Sequence, residues 1–247
     1  MNTTVSPKKL FALLAGAMAL TSIPLVSSAQ LYNVDAGDLN TQNYSGAAVL
    51  GSSGDVWNAY TAPWNWGPHG VVAISDSTGS FAAGVQVDIW NYATGANNTG
   101  GTTATPSSLM QDYITAPGWG AGDGWPIKVQ LSNLPASSAF NLVVYSAGDS
   151  AGQGAQITLF DPSGNMVSNT SGTTRDISTG LGDSYVAFNG TTKADGTVYF
   201  EVATTHDDWH ALNGLQLQLV SVPEPSTMAL GVCGMGLVMF LRKRHSR

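Results

Sequence analysis

The sequence predicts an all-β fold: a two-sheet jelly-roll β-sandwich flanked by an N-terminal signal peptide and a short C-terminal membrane helix. Three observations predict it. Residues 30–222 carry no convincing helical period. Short alternating or β-branched runs recur there between clusters of Gly, Asn, Asp, Ser and Pro, which is how strands and turns read in a sequence. Turn formers are abundant, with 29 Gly and 11 Pro in 247 residues, and only 10% of the chain is charged.

In chain order, the candidate strands are 31–35, 46–50, 70–75, 84–90, 126–131, 140–146, 155–160, 184–189, 197–203 and 212–220. Asp161-Pro162-Ser163-Gly164 follows the seventh run, Ala155 to Phe160, and places Pro and Gly where a type I turn wants them. Ala194-Asp195-Gly196-Thr197 is a second turn of that kind, ahead of Val198 to Val202. Val198, Phe200 and Val202 then face one side of a strand, and Tyr199, Glu201 and Ala203 the other. Leu215, Leu217 and Leu219 alternate with Gln216, Gln218 and Val220, so one face of the last strand is expected to be buried. The longest loops fall at 91–108 and 116–125, and 94–108 is Ser/Thr/Gly-rich enough to suggest a flexible insertion. Residues 30–222 are the length of one all-β domain, with no internal repeat.

The two ends differ from this body. Lys8 and Lys9 precede an eleven-residue apolar core, Leu10 to Leu20, and then Ser27-Ser28-Ala29, small at both positions that a signal peptidase reads. Residues 1–29 are therefore expected to be a signal peptide cut after Ala29. At the other end, Val222-Pro223-Glu224-Pro225-Ser226 precedes the apolar run 227–241 and the basic tail Arg242-Lys243-Arg244. The run is apolar on every side and has no solvent face. Fifteen residues of helix span about 22 Å, short of a bilayer core of about 30 Å, a gap that snorkelling arginines and local thinning reduce. The basic cluster is expected to stay cytoplasmic, leaving the body outside.

Composition excludes several classes. The single Cys, at position 233, rules out a disulfide scaffold and multi-Cys zinc modules. Between residues 30 and 222, Lys128, Arg175 and Lys193 face fifteen acidic residues, a net charge of −12. Such a body repels phosphate backbones, so nucleic acid is not an expected partner. There is no Gly-x-Ser-x-Gly elbow, and the one Cys lies in the tail, so no nucleophile is marked and no catalytic residue is assigned.

Pro223, Glu224 and Pro225, the Gly-containing apolar run and the terminal Arg/Lys cluster, in a chain with a signal peptide, resemble the PEP-CTERM sorting signal of Gram-negative bacteria. The resemblance covers 223–247. It implies an exosortase-type processing enzyme as partner, transient anchoring in the inner membrane through 227–241, and association with exopolysaccharide and biofilm. A second resemblance runs through the body: Val56-Trp57-Asn58, Ser75 to Gly79, Leu109 to Tyr113, Val129 to Leu134, Phe140 to Ser146 and Ala211 to Gln216 are similar to the bodies of many PEP-CTERM proteins. Those bodies resemble galactose-binding-like jelly rolls, which implies a fold rather than an activity.

Candidate recognition residues come from the aromatics. Trp57, Tyr60, Trp64, Trp66 and His69 lie within thirteen residues, and Trp119 and Trp125 flank Gly120 to Gly124. An indole offers a face to the C–H side of a sugar ring, and neighbouring Asn or Asp supplies hydrogen bonds to its hydroxyls. Trp64, Trp66, Trp119 and Trp125 are the carbohydrate-binding candidates. The alternative for each is that it plugs the sandwich or pins a loop, and Trp57 is the best core candidate. His206-Asp207-Asp208-Trp209-His210 is the densest polar cluster; it connects two strands, so it reads as a solvated turn before it reads as a metal site. No cofactor is expected. Ca²⁺ is the one cation that an acidic, exported body favours, with Asp123, Asp149, Asp207 and Asp208 as loop ligands. The function expected is an exported surface or matrix protein that associates with extracellular polysaccharide. A purely structural or adhesive component, and a polysaccharide-active enzyme, stand as alternatives.

Overall fold

Alternation of apolar and polar side chains lets a strand bury one face and wet the other, and two such sheets close a core between them. A computed structural model shows an all-β fold, with three sheets where the sequence predicted two: three short strands pair among themselves instead of extending either large sheet. It describes residues 29–37, 44, 46–61, 70–81, 83–90, 94–97, 108–110, 112–116, 125–148, 154–170, 181–204 and 209–220, within the unit Ala29–Val220. Among them are fourteen strands and one 3-10 turn, Ser108–Met110.

The strands are β1 (Leu31–Gly37), β2 (Asn58–Thr61), β3 (Val72–Ala73), β4 (Gln86–Trp90), β5 (Thr94–Asn97), β6 (Asp112–Ala116) and β7 (Ile127–Ser132) in the first half. The second half adds β8 (Ala139–Tyr145), β9 (Ala155–Phe160), β10 (Met166–Thr170), β11 (Tyr185–Thr191), β12 (Val198–Thr204), β13 (His210–Leu212) and β14 (Gly214–Leu219). They form a five-stranded sheet β11-β8-β14-β1-β2, a six-stranded sheet β10-β9-β12-β7-β4-β3 and a three-stranded sheet β13-β6-β5. All pairings are antiparallel except β1 with β2.

One apolar core joins the sheets. From the five-stranded sheet come Tyr32, Val34, Leu142, Val144, Leu215 and Leu217; from the six-stranded sheet come Val87, Ile89, Val129, Leu131, Ile157 and Phe200; Ile114 and Leu212 belong to the three-stranded sheet. In the six-stranded sheet burial alternates residue by residue along β4, β7, β9 and β12, so among the described residues its far face is half-buried and not packed against another sheet.

The central strands of the five-stranded sheet are buried on both faces, β1 along its whole length, while the edge strand β11 leaves one face exposed. A second cluster, Trp57, Leu109, Met110, Val143 and Tyr145, with Tyr44 and Leu50 packed against it, covers the outer side. Segment 46–50, expected as a strand, is a series of bends, and its amides explain why. Val49 N–H donates to the Tyr145 hydroxyl at 2.9 Å and Leu50 N–H to Gln216 Oε1 at 2.9 Å, so these amides bond side chains of the sheet below rather than a neighbouring strand. Gln216, expected on a wetted face, is fully buried for the same reason. Trp57 is buried, donates its indole N–H to Gly46 O at 2.8 Å and meets Tyr44 edge-on at 4.9 Å.

Other expectations shift with pairing. The interval 94–108 contains β5, which pairs with β6 and so is not wholly an insertion. β2, β6, β10 and β13 lie outside the ten expected runs, being short or polar segments that neighbours make into strands. The first expected turn forms as read, Gly164 N–H donating to Asp161 O at 3.0 Å; the second forms one residue earlier than read, over 193–196, with Gly196 N–H donating to Lys193 O at 2.9 Å. Gly196 has φ +74° and lies so close to the Leu134 carbonyl that a Cβ would sit 2.2 Å from its oxygen. Gly196→Ala is therefore expected to cost about 2 kcal/mol or more in urea denaturation, from left-handed strain together with the clash.

Candidate functional site

Because adjacent strands point their paired residues to the same side, the far face of the six-stranded sheet can be read from its register. Trp90 of β4 pairs with Lys128 of β7, and Lys128 with Glu201 of β12. Asp88 pairs with Gln130, Gln130 with Tyr199, Tyr199 with Phe160 of β9, and Phe160 with Met166 of β10. Trp90, Tyr199, Phe160 and Met166 thus form an apolar row running across the strands, with Asp88, Lys128, Gln130 and Glu201 beside it.

The row is tightly held. The Trp90 and Tyr199 ring centres are 5.9 Å apart with a 30° tilt, and those of Tyr199 and Phe160 are 5.1 Å apart with a 41° tilt. The Tyr199 hydroxyl donates to Glu201 Oε1, and Lys128 Nζ is 3.9 Å from the same oxygen. Lys193 Nζ stands 5.9 Å from the Tyr199 ring centre, within cation–π range. Burial, reinforced by the Glu201 carboxylate, raises the Tyr199 phenol above its ordinary pKa, so it remains a hydrogen-bond donor at neutral pH. Trp90, Tyr199 and Phe160 are half-buried, and Met166 is 67% exposed at the sheet edge. Rings fixed in this way lose little freedom when a ligand settles on them.

A notch of about 40 Å³ opens beside Phe160, lined by Phe140, Leu159, Val167, Gly190 and Val198. It has room for ordered water but is far below the several hundred Å³ of a small-molecule pocket. The sheet face, rather than this notch, is the surface with recognition chemistry.

Of the carbohydrate-binding candidates from the sequence, Trp64, Trp66 and Trp119 lie outside the described residues, as does the sorting motif Pro223, Glu224 and Pro225. Trp125 is 58% exposed and lies three residues before Lys128, the register partner of Trp90. The proposed Ca²⁺ ligands Asp123, Asp149, Asp207 and Asp208 also fall outside the described residues. Among the described residues, no group of three or more His, Cys, Asp or Glu is placed to hold a metal.

His210 departs from the expected solvated turn. It is the first residue of β13, fully buried, with its backbone carbonyl accepting from the Thr115 hydroxyl at 2.9 Å. Neither ring nitrogen reaches full hydrogen-bond geometry with a partner, although the Trp125 backbone is close enough to act on the ring. Burial pushes its pKa down to about 4, with the Trp125 backbone working weakly the other way. Pairing with Ala116 carries residue 210 inward, while Trp209 remains 38% exposed.

The row itself was half legible in the sequence. Tyr199 and Glu201 already share a face of their strand by alternation. What was missing was that β9 and β7 flank β12 and that β4 lies beyond β7, which is a matter of topology.

No protein-family profile and no curated protein matches the chain. Among solved structures it is similar to the YxiM protein of Bacillus subtilis, at 11% identity over 77% of this chain and 40% of that one, with a TM-score of 0.41. It is also similar to a family 35 carbohydrate-binding module from Clostridium thermocellum, at 16% identity over 53% of this chain and 90% of the module, TM-score 0.30. A third is the CBM22-1 xylan-binding domain of Paenibacillus barcinonensis Xyn10C, at 12% identity over 62% and 86%, TM-score 0.30. The chain spans less than half the length of the Bacillus protein.

Proposed function

We propose that the protein is an exported, non-catalytic polysaccharide-binding protein whose six-stranded sheet binds glycan on its far face. The observation that carries this reading is the row Trp90–Tyr199–Phe160. It sets ordered aromatic rings beside an amide, two carboxylates and two ammonium groups on a face that no other part of the described fold covers. Sugars ask for that pairing: an apolar surface for the C–H face of the ring and fixed polar groups for its hydroxyls. Glu201 is already engaged by Tyr199 and Lys128, an arrangement suited to holding a ligand rather than to moving protons.

The ends supply the setting. The signal-like residues 1–29 and the Pro-Glu-Pro tail with its apolar run support export, passage through an exosortase-type enzyme and residence at the cell surface or in the extracellular matrix. Mass spectrometry of the native product is expected to show a chain beginning at Gln30 and lacking 227–247; an intact chain retained in the cytosol would sink this part of the reading.

Binding is tested by glycan microarray and calorimetry on the full chain. Trp90→Ala and Phe160→Ala are expected to weaken glycan binding about 10- to 100-fold, the size of an aromatic hot spot. Trp125→Ala is expected to weaken it less. Silence toward every glycan, or equal binding by Trp90→Ala, would leave the purely structural role in its place.

A further inference from the structure

Resting on the glycan-binding reading, we infer that the ligand class of this face is a neutral, linear polysaccharide, bound as an extended run of several sugar units across the strands and continuing over the β10 edge.

Length is the first ground. The row passes from β4 across β12 and β9 to β10; its two ring steps and one further strand spacing of about 4.8 Å make it about 16 Å long. Its measured steps, 5.9 Å and 5.1 Å between ring centres, are close to the rise from one sugar to the next in an extended chain. A single sugar would use one step and leave the rest idle. The row ends on Met166, 67% exposed on a sheet-edge strand whose five residues are all exposed, so a chain can run past this end without meeting a wall. Methionine suits such an outer position, being an adaptable apolar contact.

Charge is the second. A uronate or sulfate needs a cation to offset its desolvation. The two lysines on this face are already engaged: Lys128 lies 3.9 Å from Glu201, and Lys193 stands 5.9 Å from the centre of the Tyr199 ring. The body as a whole carries −12. An anionic chain would meet repulsion here that an uncharged one does not.

The test titrates the full chain with xylo-, manno- and cello-oligosaccharides of two to six units, and with polygalacturonate at low salt. The expected result is affinity that rises about tenfold or more from dimer to tetramer and then levels, with no binding of polygalacturonate. Met166→Ser should weaken tetramer and longer ligands about threefold and leave the disaccharide unchanged; its exposed position keeps the fold intact. Trp90→Ala separates the two levels of the argument. If no ligand binds, or if Trp90→Ala binds like the parent, the glycan-binding reading fails and this inference with it. If binding depends on Trp90 but is equal for disaccharide and hexasaccharide, ignores Met166, or favours polygalacturonate, the binding face stands and the inference is overturned.

Discussion

Gln216→Ala is expected to destabilise the protein by about 3 kcal/mol or more and to lower Tm by roughly 10 °C. Gln216 is fully buried on β14 and closes four hydrogen bonds. Its Oε1 accepts from the Tyr145 hydroxyl at 2.6 Å and from Leu50 N–H at 2.9 Å; its Nε2 donates to Asn33 Oδ1 at 2.8 Å and to Leu50 O at 3.0 Å. Truncation orphans several of these groups at once, each costing about 1–3 kcal/mol where water cannot replace the amide. The damage should be local, because this amide ties segment 46–57 to the outside of the five-stranded sheet. Hydrogen exchange should quicken at Val49 and Leu50 before it does in β12. The comparison is Gln218→Ala, two residues on, where the half-buried amide accepts only from Asn141 at 3.0 Å and the loss should be under about 1 kcal/mol. Equal effects of the two substitutions would show that the network is not what holds the segment.

Acid is expected to weaken the fold in a window set by His210. Its folded pKa of about 4 lies below the ordinary value of 6.5, so the unfolded chain binds the proton more readily. The neutral ring's contribution is fully present above pH 6.5 and is lost as pH falls toward 4, by about 3 kcal/mol in all. Urea titrations at pH 7.5, 5.5 and 4.5 read this slope. His210→Leu should flatten it. The carboxylates act lower down. Hydrogen bonds from Asn165 hold Asp161 below its ordinary 3.8, and the Thr197 hydroxyl does the same for Asp195, so their stabilisation goes only as pH falls below that value. If His210→Leu keeps the parent's slope between pH 6.5 and 4.5, another group drives the transition.

The two residues show how the faces of the molecule divide the work. Gln216 belongs to a polar layer that seals the five-stranded sheet beneath a covering segment. The opposite sheet is sealed by nothing in the described fold, and there the aromatic row stands in reach of solvent. That face is built of half-buried Trp, Tyr and Phe, ordered by one another and by Glu201 and Lys193, and it is the surface to which the proposed glycan binding is assigned.

Local chemistry alone determined much of this. Period-two alternation marked the strands at 84–90, 126–131, 155–160 and 197–203, because a sheet with one wet face must alternate. Asp161 to Gly164 and, one residue late, Ala194 to Thr197 marked turns, because Pro, Asp and Gly act through their own backbones. The all-β class followed from the same patterns, and so did the shared face of Tyr199 and Glu201. Tertiary structure alone decided the rest. Whether 46–50 pairs as a strand depended on Tyr145 and Gln216, about a hundred residues and more away in the chain. Whether His210 is wet depended on its pairing with Ala116. Trp90 joined Tyr199 and Phe160 only because β7 sits between β4 and β12 and β9 lies on the far side of β12. The physical reason is common to all three: alternation sets which side a residue faces, while strand order, which long-range burial selects, sets what it faces there.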